Sequence, residues 1–159
     1  MKQKTFMMLK PDAFEQHQEE AILQDLRAHG LRILRSNVVE IDMDVMKTLL
    51  EHYKFVIDEQ GKDFNFPGKL FTSFYFDGPH YLMPMEIEYD GEEDIITFTR
   101  MLVGKTNPEA ADNESIRGKY SDDNYTKAAA EKRLVKNVIH ASDAAESAQR
   151  ELLIWEAYL

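Results

Sequence analysis

Residues 4–12 read Lys-Thr-Phe-Met-Met-Leu-Lys-Pro-Asp, KTFMMLKPD. The short apolar run Lys4–Leu9 closes on Lys10-Pro11. A proline biases the residue before it toward extended geometry, so the run reads as a strand that ends there. Asp12 is then placed to cap a helix, expected to run to about His29 with Ala21, Ile22 and Leu26 on one face and Gly30 as its stop. Leu31–Ile41 alternates and is rich in Ile and Val, as a second strand would be. Asp42 or Asp44 opens a second helix carrying Val45, Leu49, Leu50 and Tyr53. The aromatic stretch 63–76 has helical spacing but can also be read as a strand, and Gly78-Pro79 breaks it. Tyr81–Tyr89 reads as a strand in which Pro84 argues for an edge or a bulge. Asp94–Val103 is expected as a helix ended by Gly104, Thr106–Tyr120 as a loop, and Thr126–Lys136 as a helix. Asn137–His140 follows as a short strand and Ser142–Tyr158 as a capped final helix. This alternation predicts an α/β sandwich, one sheet with helices packed on it.

The length of 159 residues suits a single domain, 1–159. No stretch approaches the ~18 apolar residues of a membrane helix, and the first residues lack the pattern of a signal peptide, so no membrane association is expected. The absence of cysteine excludes disulfides, thiolate chemistry and cysteine zinc sites, and fits the cytoplasm. The five histidines include no HExxH-type pair, so a metal held by the protein alone is not expected. The formal net charge of −10 repels nucleic acid, and no nucleic-acid partner is expected. An anionic small molecule would need a local basic pocket.

Three places could supply one. Lys10-Pro11-Asp12 sets a lysine at a strand end before a helix N-terminus, which favours anions, although one such triplet is more simply a turn. The stretch from Arg100 to Arg117 holds Arg100, Lys105, Thr106, Asn107 and Arg117, the makings of a phosphate clamp or a solvated loop with surface ion pairs. Asn137-Val138-Ile139-His140-Ala141-Ser142-Asp143 ends an apolar strand on a histidine. Neutral imidazole is a nucleophile, but a strand-end histidine is more often structural.

Together the three resemble the nucleoside diphosphate kinase family. Lys10-Pro11-Asp12-Ala13 looks like the family's opening, and His52-Tyr53 is similar to the end of its second helix. Arg100–Pro108 resembles its R-x-x-x-G-x-T-N-P stretch, Ile116-Arg117-Gly118 its I-R-G, and Asn137–Asp143 its N-x-x-H-G-S-D signature. Glu146-Ser147-Ala148 and Glu151 are similar to its last helix.

The resemblance implies a ferredoxin-like fold, a four-stranded antiparallel sheet with helices on one face. It implies transfer of the γ-phosphate of a nucleoside triphosphate to a nucleoside diphosphate by a ping-pong route. His140 would be the nucleophile, with Glu151 and Ser142 orienting its ring. Lys10, Arg100 and Arg117 would bring positive charge to the phosphates, and Thr106 a hydroxyl. Tyr53 would bond near the transferred phosphate, and Asn137 to the ribose. Phe66, or else Phe64, would stack on the base. Mg2+ would arrive with the nucleotide, and the protein would assemble as a homo-oligomer, a dimer, tetramer or hexamer. Ala141 stands where the signature has glycine, and segments 54–65, 85–94 and 121–136 look longer than usual. These departures motivate one alternative, a catalytically weakened nucleotide-binding regulatory module of the same fold.

Overall fold

A computed structural model describes residues 1–159. Strand β1 (Gln3–Leu9) is flanked by β4 (Tyr81–Tyr89) on one side and β5 (Ile139–Ala141) on the other, and β2 (Leu31–Ser36) pairs with the far side of β4. Every pairing is antiparallel in the order β2-β4-β1-β5, the four-stranded sheet that the sequence implied. A two-residue strand, β3 (Val39–Glu40), continues from β2 along β4. The expected strand Leu31–Ile41 is thus split at Asn37-Val38. Pro84 lies in an interior strand, not at an edge. It is tolerated because β4's neighbour steps from Ser36, opposite Met85, to Val39, opposite Leu82, leaving no ladder partner beside the proline on that side.

β1 is uninterrupted in its hydrophobicity because both of its faces are covered. Met7 and Leu9 enter a cluster with Ile22 and Leu26 of α2 (Glu19–Ala28), Leu102 of α6 (Ile95–Val103) and Ile116 of α7 (Ile116–Tyr120). Phe6 and Met8 enter a second cluster with Val45 and Leu49 of α3 (Met43–His52), Leu70 of α5 (Phe66–Phe74) and Trp155. Helices therefore pack on both faces, which corrects the expectation of one covered face. The lower half of the second face is charged instead, with Glu86 and Glu88 beneath Arg35 and Arg32.

Several local expectations change for identifiable reasons. The first helix is two, α1 (Pro11–Glu15) and α2, separated by a turn with His17 at φ +55°. Asp12 does not cap it, because its carboxylate accepts the distant Val138 N–H at 2.9 Å. The aromatic stretch is helical, α5, preceded by α4 (Lys54–Phe64). Asp42 does cap α3, accepting from Val45 N–H at 2.9 Å, and Gly104 at φ +92° does end α6. The expected loop 106–120 contains a 3-10 turn (Pro108–Ala110) and α7. Helix α8 spans only Tyr125–Ala130, since the chain turns at Lys132, φ +54°. The last helix, α9 (Ala145–Ile154), starts later than expected and has no side-chain cap; Ser142 bonds elsewhere.

Candidate active site

A cavity of about 650 Å³ opens where the end of β1, the start of β5, the end of α3 and the N-terminal half of α9 converge. Antiparallel pairing of β1 with β5 sets Met8 opposite His140, which brings Lys10 beside the turn that precedes β5. That turn is tight. Ile139 N–H bonds to Asn137 O at 2.7 Å, and Lys10 N–H to Val138 O at 2.8 Å. Val138, a β-branched residue, is held at φ +61°, a strained conformation of the kind that collects at functional sites. The buried Asp12 carboxylate clamps it. Burial raises the Asp12 pKa, against the pull of Lys10 and the Val138 N–H.

His140 Nε2 lies 2.7 Å from Glu151 Oε1, and the Ser142 hydroxyl donates to the same oxygen at 2.7 Å. Glu151 on α9 thus binds one ring nitrogen and leaves Nδ1 as the nitrogen with a free lone pair. Withdrawal from solvent, then Arg117, Lys10 and Arg100, push the His140 pKa down to about 3. The ring is neutral at physiological pH and needs no base to expose its lone pair. Burial raises the Glu151 pKa, opposed first by His52 and then by Ser142.

Around the histidine stand the predicted charges. Lys10, 8% exposed, donates from Nζ to Asn137 Oδ1 at 2.6 Å, and burial lowers its pKa to about 8. Asn137 Nδ2 bonds to Thr106 O at 2.9 Å, tying the lysine to the loop after α6. Arg117 donates to Gly104 O at 3.1 Å and Ile139 O at 2.7 Å, while its buried Nε–H has no protein acceptor. Burial lowers its pKa to about 10, so it stays charged. Arg100 donates to Ala141 O at 3.1 Å. Tyr53 is half-buried, and burial followed by Glu151 raises its pKa, keeping the phenol a donor. Lys10, Tyr53, Phe66, Arg100, Thr106, Arg117, Asn137, His140 and Glu151 all line the one cavity, and Ser142 lies buried behind it. Six basic side chains face it against two carboxylates, Asp143 and Glu151, so the site is cationic within a chain of net charge −10.

The two phenylalanines differ. Phe66 is 7% exposed, packed in the core beside Tyr53 at 5.2 Å between ring centroids. Phe64 is 38% exposed, with Lys69 Nζ 3.6 Å from its centroid. The exposed ring is therefore Phe64, the second choice from sequence. Ala141 is buried in the β5 ladder and is absent from the positive-φ residues, so its methyl group causes no backbone strain. Sequence reading missed the clamp made by Asp12, since the bond spans 126 residues. It also passed over His52, visible only as the neighbour of Tyr53.

Segment 121–136 supplies part of the cavity wall through Tyr125, Ala128, Arg133 and Leu134. It is fastened by Arg133 and Asp123, paired through two bonds of 2.7 and 3.1 Å, and by Lys136 N–H on Asp123 at 2.7 Å.

Comparison with known proteins identifies the family and the fold. A family model described as nucleoside diphosphate kinase matches residues 3–157. A nucleoside diphosphate kinase of Methanosphaera stadtmanae is 36% identical over 96% of this chain and 84% of its own length. One of Staphylococcus haemolyticus is 33% identical over 96% of this chain and 87% of its own. An NDP kinase of Pyrobaculum aerophilum superposes with a TM-score of 0.74 at 27% identity, covering 98% of this chain and 96% of that one. A nucleoside-diphosphate kinase of Borrelia burgdorferi, solved as a transition state mimic with vanadate and ADP, shares the fold with a TM-score of 0.83 at 24% identity, covering 99% and 90%. No helix of this protein is long and apolar enough to cross a membrane. With a matching family model over nearly its whole length, relatives above 30% identity and the same fold, the chain belongs to the nucleoside diphosphate kinase family.

Proposed function

We propose that this enzyme passes the γ-phosphate of a nucleoside triphosphate to a nucleoside diphosphate through a phosphohistidine at His140. The observation that carries the reading is the His140 ring, held at Nε2 by Glu151 in a cavity lined with arginine and lysine. In the first half-reaction Nδ1 attacks the γ-phosphorus and the bond to the β–γ bridging oxygen breaks, releasing the diphosphate. In the second, an acceptor diphosphate oxygen attacks the same phosphorus and the N–P bond breaks. The protein's part is alignment and charge neutralisation. Arg100 and Arg117 neutralise the phosphate oxygens, Tyr53 and Thr106 donate hydroxyl bonds, and Asn137 with Lys10 serves the ribose. Glu151, steadied by Ser142, keeps the ring from turning and offsets the positive charge the imidazole gains on phosphorylation. No observation in the site favours the weakened regulatory module.

The donor set fits a magnesium ion carried by the nucleotide. Asp143 and Glu151 are the only carboxylates lining the cavity, and Glu151 is engaged by His140. Asp143 alone makes no oxygen cage, so phosphate oxygens and water would hold the ion, which would supply further neutralisation of phosphate charge. We further propose a cytoplasmic location, consistent with the cysteine-free composition, and a homo-oligomer, whose size light scattering of the native protein would give.

Incubation with γ-labelled ATP tests the reading. Label should appear on the protein, be acid-labile and alkali-stable, and leave on addition of GDP. A protein that takes no label would refute it.

Further outcomes follow from the charge and packing of the site. Lys10 is an ammonium below about pH 8 and loses its proton above it, so kcat/KM in the free enzyme should fall as pH rises through about 8. Lys10→Gln should remove that limb and lower kcat/KM at pH 7 by roughly 10- to 100-fold, the loss of one charged hydrogen bond. Phe64→Ala should weaken nucleotide binding by about 10-fold, the lower end of a base-stacking contribution, with little change in base preference. Phe66→Ala should instead destabilise the fold by about 3 kcal/mol or more, as a truncated core aromatic does. Calorimetric titration and urea unfolding separate the two.

A further inference from the structure

His52, the last residue of α3, is 4% exposed and lies outside the roles assigned above. Its Nδ1 is 3.1 Å from Trp155 Nε1. The indole nitrogen can only donate, so Nδ1 must accept and the imidazole proton sits on Nε2. Trp155 is wholly buried and stacks on Phe6 at 6.1 Å, so the donor cannot swing away. The His52 ring meets the His140 ring nearly at right angles, 77°, with centroids 4.6 Å apart. A ring nitrogen of His52, one of His140 and a Glu151 oxygen lie within 4.8 Å of one another.

We infer that Trp155 fixes His52 in the neutral Nε2–H tautomer, and that His52 so held is a positioning residue, keeping the His140 ring on Glu151 with Nδ1 toward the cavity. Two physical consequences support the arrangement. A second proton on His52 would sit on Nδ1, facing the Trp155 N–H donor to donor. A transition metal bound at Nε2 would push the proton to Nδ1 with the same conflict. The tryptophan therefore denies His52 both the charge and the metal that would draw Glu151 away from His140. Burial, then His140, act in the same direction, while Glu151 opposes them and Arg150 assists. The ring, edge-on to His140 at 4.6 Å between centroids, hinders rotation of that imidazole. A displacement near 1 Å at a reacting atom costs on the order of 100-fold in rate.

This inference rests on His140 as the phosphoryl carrier, and its test separates the two. Nitrogen-15 NMR of the imidazoles in the wild-type protein should show His52 with Nδ1 unprotonated and Nε2 protonated; the opposite tautomer would overturn the inference without touching the kinase reading. In single-turnover labelling from γ-labelled ATP, His52→Leu should slow phosphorylation by roughly 10- to 100-fold with the dissociation constant for ATP unchanged within about twofold. His52→Asn, whose amide oxygen can accept from Trp155 where Nδ1 did but which lacks the ring, should recover only part of the rate. Equal rates in all three proteins, or parallel losses of rate and affinity in both variants, would refute it. If His52→Leu does not fold, Trp155→Phe removes the donor alone and should yield a mixture of His52 tautomers; an unchanged single tautomer would refute the lock. Wild-type protein that takes no label refutes the carrier role instead.

Discussion

His140→Ala is expected to fold as the wild type does and to exchange phosphate between nucleotides at least about 10⁴-fold more slowly, the scale on which removal of a nucleophile acts. The side chain is part-buried and touches the Phe6 and His52 rings at its edge, so stability should fall only modestly. Nucleotide binding should persist, because Lys10, Arg100 and Arg117 are anchored to Asn137, Ala141 O and Gly104 O rather than to the ring. The contrast with Glu151→Gln makes the result specific. That variant keeps the nucleophile but removes the carboxylate that receives Nε2–H, so it should still take label, roughly 10- to 100-fold more slowly. Rapid-quench labelling and calorimetric titration of ADP together decide the matter. A His140→Ala protein that retains wild-type exchange would sink the assignment.

Arg133→Ala is expected to produce the largest loss of stability among surface-to-cavity substitutions, about 3–5 kcal/mol. The pair it breaks is nearly enclosed, with side chains 9% and 5% exposed. Asp123 would be left charged, with only the Lys136 and Asn124 backbone groups to satisfy it. Burial alone would raise the Asp123 pKa, but the bonds from Arg133 outweigh it and lower it to about 2. A depressed carboxylate contributes stability above its unfolded pKa of about 3.8 and loses it as pH falls through about 2. The wild type should therefore keep this contribution at pH 5, and the variant should be weakened most near neutral pH, where Asp123 is ionised without its partner. Urea unfolding reads the difference, which corresponds to a fall in melting temperature of roughly 10 °C. Replacing both partners by apolar residues should restore part of the loss, because no uncompensated charge remains. Since Arg133 and α8 form one wall of the cavity, nucleotide affinity should fall with Arg133→Ala even where the protein is folded. Unaltered affinity would show that segment 121–136 is a strap and not part of the binding surface.

Much of the site was legible because its residues sit at points that local chemistry marks. Lys10 stands before a proline at a strand end, Gly104 stops α6, and Arg100, Arg117 and His140 lie in spaced motifs. Other features were hidden for a common reason. Asp12 reads locally as a cap, yet its partner is Val138. Ser142 reads as another cap, yet it bonds to Glu151 and Phe6 O. Short polar side chains satisfy whichever donor or acceptor the fold brings near, and a distant buried partner outcompetes a solvated helix end. Phe64 and Phe66 have the same chemistry, and only packing against Tyr53 made one of them core.

By itself, then, the sequence determined most of the strand–helix alternation, which depends on hydrophobic period and turn residues within short windows, and through its ordered motifs it pointed to the antiparallel sheet of the family and to His140 as the proposed nucleophile. Only the tertiary structure decided which faces of the sheet were covered, which phenylalanine stayed exposed, and which tautomers His52 and His140 carry. Those depend on contacts such as Trp155 with His52, 103 residues apart. A proton's position on an imidazole is set by the donors and acceptors that folding brings to its two nitrogens, and chain order does not specify them.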